Sequence, residues 1–322
     1  MRVLITGGAG FIGSHLAIAY ERRGFEVVVL DNLSTGNLAN LIKYGFQGEV
    51  VNGDIRDELK IQALTQRSDL VLHMAAALGV ANIMNYPLES ISTNIAGSEV
   101  VLKAATKHEK RILIASTSEI YGKNPIQPLS EEDDRVIGTP QNIRWSYSDA
   151  KAIEEAMARS LNIQKGLEVT TARFFNTVGP GQTGRYGMVI PKFVRSALRN
   201  EEILVHGDGS QRRVFCHVDD VINAVYKLME TEASIGEVYN IGGKDEISID
   251  NLAKVIALKS GSNSEIRHIP YSEVYPIGFE DMARRIPNIA KIQRTIDWKP
   301  EKNLENIIDD VIQDFQRNPG FD

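Results

Sequence analysis

The chain of 322 residues contains one cysteine, Cys216, and six histidines that are not spaced as metal ligands. A single cysteine excludes an intrachain disulfide and a cysteine-based metal cluster. No apolar run reaches the length of a membrane-spanning helix, and the first residues, 2–6, have a strand pattern rather than that of a signal peptide. The net charge of −6 does not indicate a nucleic-acid surface. We therefore expect a cytoplasmic protein with no metal ion, membrane or nucleic acid as its partner.

Short apolar segments alternate with helical patterns through the first half of the chain. Strands are predicted at residues 3–5, 26–30, 49–51, 70–73, 111–115 and 167–175, and helices near 12–23, 57–66, 86–107 and 146–163. Strands that are apolar at nearly every position are typical of parallel strands buried on both faces. The alternation therefore predicts an α/β fold with a Rossmann-type doubly wound parallel sheet.

After about residue 180 the predicted strands become shorter and are separated by loops. They lie at 203–206, 237–240 and 266–269, with helices near 187–199, 218–230, 249–260 and 302–316. This change predicts a Rossmann domain over 1–180 and a smaller mixed α/β substrate lobe over 181–322, with parts of 214–245 packing back on the first domain. A ligand cleft is expected where the parallel strands end, beneath the smaller lobe.

A glycine-rich turn follows the first strand and opens the first helix. Gly7, Gly10 and Gly13 permit a tight turn and a close approach of the backbone to a pyrophosphate, and the helix N-terminus adds N–H groups and a positive dipole end. Asp31 ends the second strand, where a carboxylate binds the adenosine ribose hydroxyls and repels a 2′-phosphate. The pattern predicts NAD rather than NADP. The alternative is a structural turn with a solvated aspartate.

Two more strand ends are candidates for cofactor contacts. Asp54 follows the third strand and could meet the adenine amine, or it could only cap the strand. Ala75 and Ala76 follow the fourth strand, where small side chains would let a cofactor lie against the backbone. We expect His73, in the same segment, to be a packed core residue rather than a catalytic one.

Tyr147 and Lys151 are four positions apart, which places their side chains on one face of a helix. An ammonium beside a phenol stabilises the phenolate, so the tyrosine pKa is expected to fall below its usual value of roughly 10 and Tyr147 to act as a general base. Such a pair alone is common on ordinary helices. Thr117 and Ser118, after the fifth strand, carry hydroxyls that could bind the same substrate oxygen or cap the strand.

Four motifs are spaced along the chain: Gly7-x-x-Gly10-x-x-Gly13, His73-x-Ala75-Ala76, Ser116-Thr117-Ser118-Glu119-x-Tyr121-Gly122 and Tyr147-x-x-x-Lys151. Together they resemble the extended short-chain dehydrogenase/reductases, and within these the NAD-dependent epimerase/dehydratase family, which acts on nucleotide sugars. Segments 173–180, 207–213, 219–220 and 240–243 resemble the nucleotide-sugar lobe of that family. The resemblance extends over essentially the whole chain.

Within this family the resemblance is closest to the UDP-glucuronic acid decarboxylases. It depends on Thr117-Ser118-Glu119, on the segment 144–148 after a long gap, and on the segments 280–287 and 296–300. The resemblance implies a UDP-linked diphosphate sugar as substrate and a homodimer formed through a four-helix bundle. It also implies an NAD site of Gly7, Gly10, Phe11, Ile12, Gly13, Asp31, Asn32, Asp54, Ile55, Ala75, Ala76, Asn94, Tyr147 and Lys151.

The implied catalytic residues are Thr117, Ser118, Glu119, Tyr147 and Lys151, and the implied substrate residues are Asn176, Val189, His206, Arg213 and Arg285. Tyr147 would take the proton of the sugar O4 while C4 gives a hydride to NAD⁺, and Lys151 would hold the nicotinamide ribose. The resulting 4-keto sugar could lose CO₂ if C5 bears a carboxylate, after which the enolate would be protonated and the ketone reduced again by NADH. It could instead be reduced from the other face, which is 4-epimerisation, or eliminate water.

Glu119 and Arg285 bear on the choice among these outcomes. A carboxylate near C5 could act as acid or base, or orient water, and is not needed for simple epimerisation; with Arg285 it could hold a substrate carboxylate. Each could instead be structural, as an ion-pair partner. Arg213 is a candidate diphosphate clamp, because a guanidinium fork matches phosphate oxygens. Decarboxylation is thus favoured, with a UDP-sugar 4-epimerase as the alternative; a 4,6-dehydratase or a non-catalytic NAD-binding regulator is less favoured.

Overall fold

Strands and helices alternate along the chain in the computed structural model, which describes residues 1–184, 187–275, 280 and 282–318. The strands are β1 (Arg2–Thr6), β2 (Glu26–Asp31), β3 (Glu49–Asn52), β4 (Leu70–His73), β5 (Arg111–Thr117), β6 (Val169–Phe174), β7 (Thr177–Val178), β8 (Ile203–His206), β9 (Arg212–Val214), β10 (Cys216–His217), β11 (Val238–Ile241), β12 (Glu246–Ser248), β13 (Ile266–Ile269) and β14 (Arg284–Arg285). The α-helices are α1 (Phe11–Arg22), α2 (Leu38–Lys43), α3 (Glu58–Gln66), α4 (Val80–Asn85), α5 (Pro87–Ser92), α6 (Ser98–Lys107), α7 (Ser146–Lys165), α8 (Val189–Leu198), α9 (Val218–Glu230), α10 (Ile249–Lys259), α11 (Tyr271–Val274), α12 (Ala290–Ile296) and α13 (Leu304–Arg317).

Seven parallel strands form the main sheet, in the order β11–β6–β5–β4–β1–β2–β3. Val3, Leu4 and Ile5 of β1 have no exposed surface, which explains why this strand is apolar at consecutive positions. Helices α1 and α9 cover one face of the sheet, and α3, α6 and α7 cover the other. The predicted Rossmann-type doubly wound parallel sheet is confirmed.

Among the strands described after residue 180, β11 belongs to the main sheet. Strand β11 pairs in parallel with β6, with Val238 opposite Thr171, and so becomes an edge of the sheet. Helix α9, which precedes it, packs on α1 and shares the core beneath that face. Both elements lie within 214–245. The division of the chain at residue 180 stays a prediction.

Helices α8, α10 and α13 surround a separate hydrophobic core. It contains Phe193 of α8, Ile256 of α10 and Ile308 of α13, all with 2% exposure or less. Strands β8 and β13 pair in parallel, and β9 lies between β12 and β14 in a three-stranded sheet. This layer faces the ends of the main strands, so a cavity forms between the two sets of elements.

The structure divides the predicted helix at 86–107 into two α-helices joined by a π-helical segment. Helix α5 ends at Ser92, a π-helical segment spans Thr93–Gly97, and α6 continues to Lys107. Such a wide turn changes the direction of the side chains that come after it. At Gly97 a side chain would collide with Ile55, because an added Cβ would lie 2.4 Å from its Cδ1 atom. Glycine therefore allows close packing at this turn.

Candidate active site

A cavity of about 750 Å³ lies where the central strands end. Most of the residues predicted for the site line it. They are Gly7, Gly10, Phe11, Ile12, Gly13, Asp31, Asn32, Ile55, Ala75, Ala76, Thr117, Ser118, Glu119, Tyr147, Lys151, Asn176, Val189, His206, Arg213 and Arg285. The fold thus brings together positions that are up to 278 residues apart in the chain, here from Gly7 to Arg285. Their individual roles stay predictions.

Asp54 and Asn94 are not among the residues that line the cavity. The Asp54 carboxylate accepts hydrogen bonds from Arg56 at 2.7 and 2.8 Å and from Asn32 at 3.0 Å. The Arg56 side chain keeps the pKa of that carboxyl below its usual range. Asn94 is fully buried, and its amide exchanges hydrogen bonds with the backbone of Ala77. The structure therefore shows both residues supporting segments next to the cavity.

The glycine turn is as tight as its sequence suggests. Gly7 has a φ of 68°, and a Cβ added there would lie 2.6 Å from the backbone nitrogen of Ala75. A Cβ on Gly13 would lie 2.1 Å from the Gly7 carbonyl oxygen. Gly10 is the N-cap of α1 and supplies no side-chain cap. The first turn of this helix therefore faces the cavity without a side chain over it, a geometry that fits the pyrophosphate of NAD.

Asp31 is held in place at the end of β2. Its carboxylate accepts hydrogen bonds from the backbone N–H of Ala9 at 2.9 Å and of Leu33 at 2.8 Å. Burial raises its pKa, and these backbone donors oppose that effect. The carboxylate is 8% exposed and lines the cavity, in a position that fits ribose hydroxyls and disfavours a 2′-phosphate.

Tyr147 and Lys151 lie in the first turns of α7, as predicted, but their electrostatics differ from the prediction. The Lys151 ammonium donates to the Ala115 carbonyl and to Glu154, each at 2.7 Å. Burial raises the pKa of Tyr147, Glu119 and Glu154 raise it further, and Arg144 opposes them. The expected lowering of the tyrosine pKa by Lys151 is therefore wrong, because burial, and after it Glu119 and Glu154, raise that pKa.

Thr117 both caps a turn and lines the cavity. Its hydroxyl accepts a hydrogen bond from the Glu119 N–H at 3.2 Å, at the start of a 3₁₀ turn spanning Ser118–Tyr121. Ser118 is 2% exposed and also lines the cavity. The capping alternative is thus present, and it leaves the Thr117 hydroxyl in the cavity wall.

Glu119 is clamped by an arginine for which the sequence predicted no role. Arg144, 3% exposed, donates to its two carboxylate oxygens at 2.7 and 3.0 Å, while Arg285 is 3.5 Å away. Burial opposes ionisation of Glu119, but Arg144 and then Arg285 overcome it and lower its pKa to about 2. Glu119 is therefore a carboxylate at neutral pH and cannot serve as a proton donor there.

The predicted substrate residues Asn176 and Arg213 also line the cavity. Asn176 has a φ of 38°, which asparagine tolerates better than most residues. Its amide donates to the Val214 carbonyl at 2.7 Å and accepts from Arg285 at 2.9 Å. Arg213 is 6% exposed, and one of its N–H groups donates to the Arg212 carbonyl at 2.9 Å.

His206 lies between two polar side chains that the sequence did not single out. Its Nε2 atom is 3.2 Å from the Lys192 ammonium, and its Nδ1 atom is 3.2 Å from the Tyr275 hydroxyl. Burial lowers the pKa of His206, and Lys192 lowers it further. All three residues line the cavity. Nothing in their spacing indicated the cluster, because it joins α8, β8 and the end of α11.

Two properties of the described residues concern other kinds of function. Within 1–184, 187–275, 280 and 282–318 there is no group of three His, Cys, Asp or Glu side chains that could hold a metal ion. In the same part of the chain no helix is long and apolar enough to span a membrane. Asp281, which belongs to the motif 280–287, lies outside the described residues.

Comparison with known proteins identifies the family to which this fold and cavity belong. The NAD dependent epimerase/dehydratase family matches residues 3–242. The chain is 40% identical to the UDP-N-acetyl-alpha-D-glucosaminuronate decarboxylase of Bacillus cytotoxicus over 98% of both chains. It is 35% identical to UDP-glucuronic acid decarboxylase 1 of Xenopus tropicalis, over 98% of this chain and 72% of that protein. A UDP-glucose 4-epimerase structure from Thermotoga maritima superposes with a TM-score of 0.89 and 30% identity, over 99% of this chain and 100% of that one.

A family match over most of the chain agrees with the sheet order, the glycine turn and the Tyr147–Lys151 pair at the cavity. The match to the Bacillus relative extends this agreement through the C-terminal lobe. The chain is therefore an enzyme that belongs to the NAD dependent epimerase/dehydratase family.

Proposed function

We propose that the enzyme binds NAD, oxidises a UDP-linked hexuronate at C4 and releases its C5 carboxylate as CO₂. The observation that carries this proposal is the charge at the cavity wall. Two guanidinium groups, those of Arg144 and Arg285, lie beside the carboxylate of Glu119 in the cavity wall. Guanidinium groups at this wall match a carboxylate on the substrate, because their N–H groups can donate paired hydrogen bonds to it. A neutral hexose would lack this match.

The protein side chains supply the proton transfers. NAD, when bound, accepts the hydride of C4. Tyr147 takes the proton of O4, and the Thr117 hydroxyl, in the same wall, orients that oxygen. Oxidation at C4 places a ketone β to the C5 carboxylate, so loss of CO₂ leaves an enolate that is protonated at C5. Return of the hydride to C4, with return of the proton from Tyr147 to O4, then gives the UDP-linked pentose. Arg285 holds the carboxylate before CO₂ is lost.

The charge state of Glu119 argues against dehydration. Elimination of water from C5–C6 needs a proton donor for the leaving hydroxyl and a base for the C5 proton. Glu119 is ionised at neutral pH, and its neighbour Ser118 is a weak acid. The two decarboxylase relatives support the same choice, and each acts on the uronate in its name.

The two relatives differ in the substituent at sugar C2, so both uronates belong in the test. The enzyme is incubated with NAD⁺ and UDP-glucuronate, and separately with its 2-acetamido analogue, and products are read by mass spectrometry. We expect a UDP-linked pentose or acetamidopentose that has lost CO₂. A product of unchanged mass with inverted C4 would support a 4-epimerase instead, and no change with either uronate would refute the proposal.

Arg285→Gln tests the carboxylate-binding role directly. It should suppress CO₂ release while NAD binding, measured by calorimetry, is preserved. Arg284→Gln is the matched control, because its neighbouring guanidinium is half exposed and pairs with Glu246 at 2.7 Å. A loss of CO₂ release with Arg284→Gln as large as that with Arg285→Gln would contradict the assignment.

We also propose that two copies pair through α5, α6 and α7 as a four-helix bundle. Leu88 of α5 is 79% exposed and Ile153 of α7 is 44% exposed, which is unfavourable for apolar side chains on neighbouring helices. A second copy of the same surface would bury them. Light scattering of the purified enzyme tests the expected dimer mass.

A further inference from the structure

The buried carboxylate of Glu154 contacts the Lys151 ammonium. Glu154 is 1% exposed, and its Oε2 atom accepts a hydrogen bond from the Lys151 ammonium at 2.7 Å. The same ammonium donates to the Ala115 carbonyl at 2.7 Å. Because Lys151 is itself 1% exposed, the two charges form a buried ion pair one turn apart on α7. Breaking such a pair from one side is costly, since the other charge stays buried.

The other groups around Glu154 do not compete for this role. Its Oε1 atom lies 3.9 Å from Nε2 of His73, but burial lowers the His73 pKa to about 3, so the imidazole is neutral. The two His73 nitrogens lie within hydrogen-bond distance of the hydroxyls of Thr6 and Ser98, at 2.7 and 2.9 Å. The Ser98 hydroxyl also favours the charged form of the Glu154 carboxyl by lowering its pKa.

The adjacent acidic residue, Glu155, forms an ion pair with Arg173 rather than with Lys151. Its carboxylate receives two hydrogen bonds from Arg173, at 2.7 and 2.9 Å, and a third from Ser116. Its charge is therefore already balanced by Arg173, away from Lys151. This difference makes Glu154 and Glu155 a matched pair. The two carboxylates are next to each other in sequence, and the first is fully buried and contacts the lysine, whereas the second is partly buried and contacts Arg173.

The charge of Glu154 also acts on Tyr147. Burial, then Glu119, then Glu154 raise the pKa of the Tyr147 phenol, and Arg144 lowers it. Burial also raises the pKa of Glu154, whereas Lys151 lowers it. A negative charge at position 154 thus acts against the phenolate in two ways: directly, and by offsetting the ammonium expected to stabilise it.

We propose that Glu154 is a positioning residue of the acid–base pair: its carboxylate fixes the Lys151 ammonium against the Ala115 carbonyl, and its charge sets the pH at which Tyr147 becomes a base. The inference rests on the proposed function only in that Tyr147 and Lys151 act together in oxidation at C4. It is independent of whether the 4-keto sugar then loses CO₂ or is reduced directly. Glu154 touches neither the substrate nor the reacting atoms, and it acts through Lys151.

The test is the pH dependence of the oxidation step in Glu154→Gln. Glutamine keeps an oxygen that can accept from Lys151 but removes the charge. We measure the formation of reduced nicotinamide in a single turnover with a UDP-linked sugar. The acidic limb of the rate profile should move to lower pH by about one unit, because a buried charge about two helical turns from Tyr147 has an effect of that order. An unmoved limb in a folded variant overturns the proposal.

Two further variants separate positioning from a simple structural effect. Glu155→Gln should leave the acidic limb of the rate profile at the same pH as in the wild type. If this limb moved as far as in Glu154→Gln, the shift would be a general effect of removing a carboxylate from α7. Glu154→Asp keeps the charge but shortens the side chain, so the limb should stay while the rate falls about tenfold or more through misplacement of the ammonium. A wild-type rate with Glu154→Asp refutes the positioning role, even if Glu154→Gln fails to fold.

The readouts also separate this inference from the proposed decarboxylation. Reduced nicotinamide reports oxidation at C4 whether or not CO₂ is lost. Calorimetric titration with NAD gives a second measure, in which Glu154→Asp should bind more weakly than Glu155→Gln because it displaces Lys151. Equal affinities of these two variants would count against the positioning role.

Discussion

Replacing Glu119 by glutamine tests the electrostatics of the cavity wall most directly. The substitution keeps the shape of the side chain and removes its charge. Arg144 is 3% exposed and loses the counter-charge that now bonds it at 2.7 and 3.0 Å. Removing one partner of a buried ion pair typically costs about 3–5 kcal/mol, because the remaining charge stays desolvated.

The pKa of Glu119 gives a second value for the stability that its charge contributes. It is about 2 in the folded chain, against an ordinary value of 4.5. At about 1.4 kcal/mol for each pH unit, the difference corresponds to about 3 kcal/mol of stability at neutral pH. Since the folded pKa is the lower one, this contribution is complete above a pH of about 4.5 and is lost as the pH falls towards about 2.

Urea unfolding of the wild type and Glu119→Gln, at several pH values from neutral to about 3.5, measures both quantities. We expect the variant to lose about 3 kcal/mol at neutral pH and a smaller amount at the lowest pH. Glu202→Gln is the control, because Glu202 forms an exposed pair with Arg267 that should contribute at most about 1 kcal/mol. A Glu119→Gln loss as small as that of the control, or one that does not change with pH, would refute the reasoning.

Three other substitutions test separate parts of the structure. Tyr147→Phe should abolish formation of reduced nicotinamide while leaving NAD affinity, measured by calorimetry, nearly unchanged; retained oxidation would remove the proposed base. Gly13→Ala should weaken NAD binding and lower the melting temperature, because the added Cβ would lie 2.1 Å from the Gly7 carbonyl oxygen. Leu88→Glu should convert the expected dimer to monomers in light scattering, whereas Leu258→Glu, at an equally exposed position of α10, should not.

The fold was predictable because its information is local. Strands β1, β2, β4 and β5 each contain at least three consecutive apolar residues, and Gly7, Gly10 and Gly13 mark the turn whichever sheet they join. The sequence also placed Tyr147 and Lys151 correctly, since their spacing along one helix determines their common face. It did not reveal that residues 238–241 pair with β6, because strand pairing depends on the whole sheet.

The site was less predictable because charges act across the chain. Sequence reasoning gave Glu119 a partner in Arg285, but the closer partner is Arg144, which a 3₁₀ turn at Ile143–Trp145 brings to it. It expected Lys151 to lower the pKa of Tyr147, and it did not include Glu154 in the site. A helical register shows that Glu154 is near Lys151, but only burial makes their pairing dominate over solvent.

The sequence by itself determined the doubly wound sheet, the glycine turn and the common helix face of Tyr147 and Lys151, because periodicity and spacing specify those features within single elements. The tertiary structure decided which charges meet: Glu119 with Arg144, and Lys151 with Glu154. Those pairings set the protonation states of the cavity wall. They depend on burial and on contacts between distant segments, two quantities that no local pattern contains.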